Sequence, residues 1–135
     1  MFKNIHTFRV KPKAELLQGI SSYCTTGQVT SGIIIGIIGS LESAKLNFLM
    51  ELPGRYVTRE YKGPLEIVCA QGSIALKEDA SLLVHIHAQL SEEEQSPGGH
   101  LAEAIVFSTA EVVIGELDYQ LRRRLDSYTG LNELT

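Results

Sequence analysis

A segment of alternating residue types constrains the fold more than any other feature of the chain. Between Ser81 and Leu90 the side chains alternate with a period of two, as expected for a strand with two different faces. One face is wholly apolar, whereas the other carries Leu83, His85, His87 and Gln89. The pattern predicts a β-strand that presents two histidines on the same side.

The rest of the chain predicts further strands and one helix. Apolar residues at three- and four-residue spacing predict a helix from Lys13 to Cys24, which ends before Gly27. Gly32–Gly39 is the most apolar run, and we expect a central strand covered on both faces. At about eight residues it is too short to cross a membrane as a helix. Residues rich in β-branched and aromatic types predict the other strands: Ile5–Val10, Leu41–Leu49, Arg55–Tyr61, Leu65–Leu76, Ala104–Phe107 and Ala110–Leu117.

Glycine and proline mark the expected breaks between these strands. Pro53-Gly54 and Gly63-Pro64 predict turns. Residues 65–76 predict one bent strand or two short ones, with Gly72 at the bend. Residues 91–99 are charged and then rich in Pro and Gly, which predicts an exposed loop and a tight turn. His100 follows this turn directly.

Many short strands with one helix predict the α+β class. We expect a single domain over residues 1–135, with a mixed, largely antiparallel sheet and one main helix. A length of 135 residues suits one hydrophobic core. Twelve Lys and Arg against sixteen Asp and Glu give a net charge of -4, which disfavours binding to nucleic-acid backbones.

The cysteines and the N-terminus favour a cytoplasmic protein. Cys24 and Cys69 are too few and too far apart for a disulfide framework, so we expect two small buried side chains in a reducing compartment. Residues 1–10 lack the apolar core of a signal peptide.

Common catalytic motifs are missing, so no catalytic residue is predicted. The chain has no G-x-G-x-x-G, no G-x-x-x-x-G-K-[ST] and no G-x-S-x-G, which excludes the usual nucleotide-binding loops and the nucleophile elbow. The basic run Arg122–Arg124 predicts a solvated or subunit-contact surface.

Three histidines form the one group of residues in the sequence that suggests a specific chemistry, namely metal binding. His85 and His87 are two residues apart on one strand face, and the glycine turn before His100 can bring this third ring beside them. Three imidazoles with an open fourth position suit zinc and related divalent ions, and Glu103 or Glu111 is a candidate to support the site. The alternative is that the pair lies on an exposed or interfacial sheet face and that His100 caps a turn. His6 is expected to be a partly buried structural histidine.

Several ordered motifs resemble one family over nearly the whole chain, namely the plants and prokaryotes conserved (PPC) domain in its free-standing prokaryotic form. The similarity to prokaryotic members extends to the ending, with Asp126, Thr129-Gly130-Leu131 and Glu133-Leu134. The other matching motifs are Gly32–Gly39, Gly63–Val68, Leu83–His87, Gly98–Leu101 and Thr109–Ile114.

The resemblance implies a homotrimer with a suspected metal site at His85, His87 and His100. One hypothesis is therefore a trimeric protein whose divalent ion, with zinc among the candidates, helps to bind or hydrolyse a small molecule. The alternative is a non-enzymatic module that recruits protein partners or associates with DNA. Family members are often described as DNA-binding because plant members carry AT-hooks with an R-G-R-P core, and this chain has no such core.

Overall fold

The computed structural model describes residues 1–135 and contains one helix and seven strands. Five long strands form one sheet in the order β1-β5-β2-β3-β4, and β4 also pairs with the start of β5. Strands β2 to β5 therefore pair in a closed ring, and β6 and β7 form a separate hairpin. The elements are β1 (Phe2–Val10), α1 (Leu16–Thr26), β2 (Gly32–Glu51), β3 (Arg55–Leu76), β4 (Leu82–Ser91), β5 (Gly98–Leu117), β6 (Arg123–Leu125) and β7 (Asn132–Leu134).

The single domain, the one helix and the mostly antiparallel sheet are confirmed. All six strand ladders are antiparallel, so the expectation of a mixed sheet is wrong except for one isolated parallel bridge between Leu76 and Arg122. The chain reverses between β2 and β3 and between β3 and β4 through short turns, and such turns join antiparallel neighbours.

The strands are longer than the sequence predicted. The turn at Pro53-Gly54 is confirmed, but β3 continues through Gly63-Pro64. The partner strand β2 shifts register between Leu41 and Ser43, opposite this point, so the irregularity is absorbed within the ladder. The two strands predicted over residues 104–117 are likewise a single strand, β5, because β1 and β2 pair along both of its sides.

The helix packs on one face of the sheet. It begins at Leu16 and ends at Thr26, two to three residues later than predicted, with Glu15 as N-cap and Gly27 as C-cap. Its buried side chains join a continuous core of 23 residues. Since α1 has only 11 residues, the chain contains no helix that could span a membrane.

Two expectations about burial are wrong. Ile34 is buried, but Ile35 and Ile38 on β2 are 46% and 72% exposed, so this strand is covered on one face only within the chain. Cys24 is buried as expected, whereas Cys69 is exposed. A register shift between Ile67 and Cys69 turns Cys69 out of the core and places Ala70 inside instead.

Candidate metal centre

The three histidines singled out from the sequence lie together. His85 and His87 project from one face of β4, as the alternation predicted, and His100 on β5 is paired directly with His87. Their ring centroids are 5.0 to 5.5 Å apart, and one ligand nitrogen from each ring lies within 4.8 Å of the other two. From the sequence, the proximity of His100 to the other two histidines rested only on an assumed glycine turn.

The connection between β4 and β5 is held by its own side chains. The side-chain amide of Gln89 donates to the carbonyl oxygen of Ser96 at 2.7 Å, and the Ser96 hydroxyl donates to the carbonyl of Leu90 at 2.9 Å. A side chain at Gly98 would displace the amide end of the Gln89 side chain. Strand β5 begins with Gly98 and Gly99, so the loop predicted over residues 91–99 is shorter and His100 lies in a strand.

The donor set fits a divalent ion. Tetrahedral coordination at 2.0 to 2.1 Å places the three nitrogens about 3.4 Å from one another. The separations of up to 4.8 Å exceed this by less than about 1.5 Å, which small rotations of the rings can close. Three imidazoles are the ligands that zinc and related first-row ions accept while keeping a position open.

Burial keeps two of the rings neutral. Desolvation, together with the positive charges that His100, Arg123 and His87 would carry, lowers the pKa of His85 to about 4. Desolvation and then His87 also lower the pKa of His100. Near neutral pH both rings are uncharged, the form in which imidazole ligates a metal.

Arg123 contacts the histidine cluster from β6. It is 7% exposed within the single chain, so the expectation of a solvated or subunit-contact surface over Arg122–Arg124 is wrong for this residue. Its Nη2 lies 3.2 Å from His85 Nδ1 and 3.0 Å from the Ser73 hydroxyl, and its Nη1 donates to the carbonyl of Asn132 at 2.9 Å. Because arginine has no acceptor, it must donate to Nδ1, and the neutral His85 ring therefore carries its proton on Nε2.

The tautomer of His85 has a consequence for metal binding. To ligate a cation through Nε2, this ring must carry its proton on Nδ1 instead, which ends the hydrogen bond from Arg123; to ligate through Nδ1, it must turn this atom away from Arg123. Metal binding and the contact between Arg123 and His85 are therefore linked.

The histidines line a cleft of about 330 Å³. Glu103 pairs with Lys45 at 3.5 Å and Glu111 lies opposite Ile38 and Arg9, so neither of the predicted supporting carboxylates lines the cleft. The carboxylate that does is Glu133, which the sequence did not indicate. The other lining residues are Asn47, Leu49, Tyr56, Leu83, Arg123, Leu131 and Asn132.

The fourth histidine lies elsewhere and is structural, as predicted. His6 is half-buried, with Nδ1 3.0 Å from the Tyr23 hydroxyl and Nε2 2.8 Å from Glu116. The hydrogen bond from His6 is the main cause of the lowered pKa of Glu116. His6 thus connects β1, α1 and β5 rather than serving as a ligand.

The fold and the site together define a class of protein. It is a small antiparallel domain with one helix and a histidine-lined cleft. Within this class, the chain belongs to the Plants and Prokaryotes Conserved (PCC) domain family, whose model matches residues 2–118. The family resemblance seen in the sequence is thereby confirmed. Arg123 and Glu133 lie beyond the matched residues.

Solved structures share the fold across the chain. A metal-containing protein from Archaeoglobus fulgidus is 25% identical with a TM-score of 0.90, over 100% of this chain and 95% of that one. A plant- and prokaryote-conserved protein from Pyrococcus horikoshii is 28% identical with a TM-score of 0.90, over 100% and 93%.

A third structure, a proposed DNA-binding protein from Bacteroides thetaiotaomicron, has a TM-score of 0.90 over 100% of this chain and 94% of that one. At 20% identity it shows the shared fold alone. No curated protein sequence matches the chain.

Proposed function

We propose that this protein binds a divalent metal ion at His85, His87 and His100 and uses the cleft to bind or hydrolyse a small molecule. The observation that carries the proposal is the convergence of three imidazole nitrogens within 4.8 Å of one another, at the wall of a cleft. The similar protein from Archaeoglobus fulgidus is described as metal-containing, which supports the same interpretation. Zinc is the first candidate because it accepts three histidines and an open position.

The residues of the chain suit this role. The two half-buried neutral rings offer lone pairs, and the open cleft leaves room for a ligand beside them. A bound divalent ion would supply Lewis acidity and lower the pKa of a bound water. Arg123 and Glu133 add one charged group of each sign to the wall, for positioning a polar ligand.

Elemental analysis of the purified protein tests the proposal. We expect close to one divalent ion per chain in the wild-type protein and loss of about 90% or more of it when His85, His87 and His100 are all replaced by Ala, since a site without ligands has no affinity. His6→Gln is the matched control because this histidine lies outside the cleft, and it should retain the ion.

Two results would contradict the proposal. One is a wild-type protein that binds no zinc, nickel, cobalt or iron even after incubation with each ion. The other is equal metal content in the wild-type protein and in a folded variant without the three histidines. Retention of metal in His87→Ala alone would show that this more exposed ring is not a ligand.

We further propose that the chain assembles as a homotrimer. Apolar side chains on the sheet face opposite the core support self-association, because a face of this kind is normally covered by another protein surface. They include Ile35, Ile38, Val68 and Phe107, which are between 46% and 72% exposed.

The same exposed face favours a second candidate function, a non-enzymatic module that recruits a protein partner. A partner that binds equally well to the wild-type protein and to the variant without the three histidines would support this function. Association with DNA is the weaker form of this candidate, since the net charge is -4 and no AT-hook core occurs.

A further inference from the structure

The cleft contains a buried positive charge that has no counter-ion. Arg123 is 7% exposed, and none of the ion pairs in the chain includes it. Buried charges in proteins are normally paired, because removing a charge from water is costly. The missing partner of this guanidinium is therefore to be sought outside the chain.

The groups that contact Arg123 are all uncharged. They are the Ser73 hydroxyl, the Asn132 carbonyl and the Nδ1 atom of His85. Its Nε atom is buried and has no hydrogen-bond partner at all. The hydrogen bonds orient the guanidinium, but they do not neutralise its charge.

The other residues of the cleft do little to neutralise the positive charge of Arg123. Glu133 is the only carboxylate among the lining residues, and it acts on Arg123 through its field without forming an ion pair. The neighbouring His85 and His100 contribute no negative charge. An anion bound in the cleft would lie near both Arg123 and the three imidazole rings, which all line it.

We propose that the cleft binds a small anionic molecule, a carboxylate or a phosphate, whose oxygen atoms pair with Arg123. Guanidinium groups suit this task because their planar donors match the oxygens of both anions. The inference rests on the proposed function and deepens it by naming the ligand class. If His85 turns Nδ1 toward an ion, the Nη2 donor of Arg123 is released and becomes available to the ligand.

Titration of ¹⁵N-labelled wild-type protein with acetate and with inorganic phosphate, at constant ionic strength, tests the proposal directly. We expect saturable shifts of the Arg123 Nε–H signal and of the His85 ring signals with at least one anion. The anion that saturates at lower concentration distinguishes a carboxylate ligand from a phosphate ligand.

Two variants extend the test. Arg123→Gln should weaken anion binding about tenfold or more, the effect of losing a hydrogen-bonded charge. Arg124→Gln is the matched control, since Arg124 is the exposed neighbour on the same strand, and it should bind within about twofold of wild type. If Arg123→Gln is not folded, the wild-type titration decides alone.

The proposal is overturned if neither anion gives a saturable shift at Arg123, or if folded Arg123→Gln binds as tightly as wild type. Titrations of metal-free and metal-loaded protein separate this failure from that of the metal site. Anion binding at Arg123 in a protein that takes up no metal would leave the anion site standing and refute the metal proposal. Metal uptake without anion binding would support the metal proposal and refute the anion site.

Discussion

At the scale of single residues, the histidine strand depends on one glycine of its neighbour. Gly72 on β3 is paired with Ile86, between His85 and His87, and any side chain at this position would collide with the carbonyl oxygen of His85. The sequence suggested that Gly72 marks a bend. Its observed role is to allow the close approach of β4.

Replacing Gly72 by Ala should therefore damage both stability and the metal site. We expect a loss of about 1 to 3 kcal/mol in the free energy of unfolding, the usual cost of overpacking, because β4 must move away. Metal content should fall as well, since His85 and His87 move with the strand. Urea unfolding and elemental analysis measure the two effects.

Gly36→Ala is the control for this substitution. Gly36 lies in β2, and a side chain there would meet nothing within 4 Å, so its stability should change by less than about 0.5 kcal/mol. Equal stability of the Gly72→Ala variant and the wild type would contradict the steric argument.

At the scale of elements, the helix is joined to the sheet by its N-cap. The Glu15 carboxylate accepts hydrogen bonds from the backbone N–H groups of Leu17 and Gln18, at 3.2 and 2.9 Å. It also accepts the backbone N–H of Ala104 on β5 at 2.9 Å. One side chain thus caps α1 and connects it to β5, the strand that carries His100.

Glu15→Ala should lower the free energy of unfolding by about 1 to 3 kcal/mol. The loss of an N-cap accounts for about 0.5 to 2 kcal/mol, and the unpaired N–H of Ala104 adds to it. Thermal or urea unfolding measures the change. Glu78→Ala, at an exposed turn residue, is the control and should be nearly neutral. A loss no larger than that of the control would show that water replaces the cap.

Local patterns predicted the kind of each element better than its length. The alternation over residues 81–90 predicted β4 almost to the residue, because the period of two is a local property of an extended chain. The breaks expected at Gly63-Pro64 and between Phe107 and Ala110 do not occur. Pairing with neighbouring strands supplies hydrogen bonds that outweigh these weak local signals.

At the scale of the whole molecule, the exposed apolar face should control assembly. Ile38, in the first half of β2, is 72% exposed, and a charge at this position would have to be buried in any interface formed by the face. We expect Ile38→Lys to convert the proposed trimer to monomer at micromolar concentration, as measured by analytical ultracentrifugation. Gln18→Lys, on the exposed side of α1, should leave the mass unchanged.

Two results of this experiment are decisive. A wild-type protein that sediments as a monomer would refute self-association. A trimeric Ile38→Lys variant would exclude Ile38 from the interface.

The sequence by itself determined the family, the antiparallel sheet with one helix, and the shared face of His85 and His87. These properties follow from motifs and from periodicities that need no distant contact. Only the tertiary structure decided that His100 is paired with His87, that Arg123 is buried against His85, and that Glu133 rather than Glu103 or Glu111 lines the cleft. The residues that meet in the cleft come from four separate strands, β4 to β7. The pairing register and the packing of the β6 and β7 hairpin set their proximity, because spacing along the chain does not specify long-range contacts.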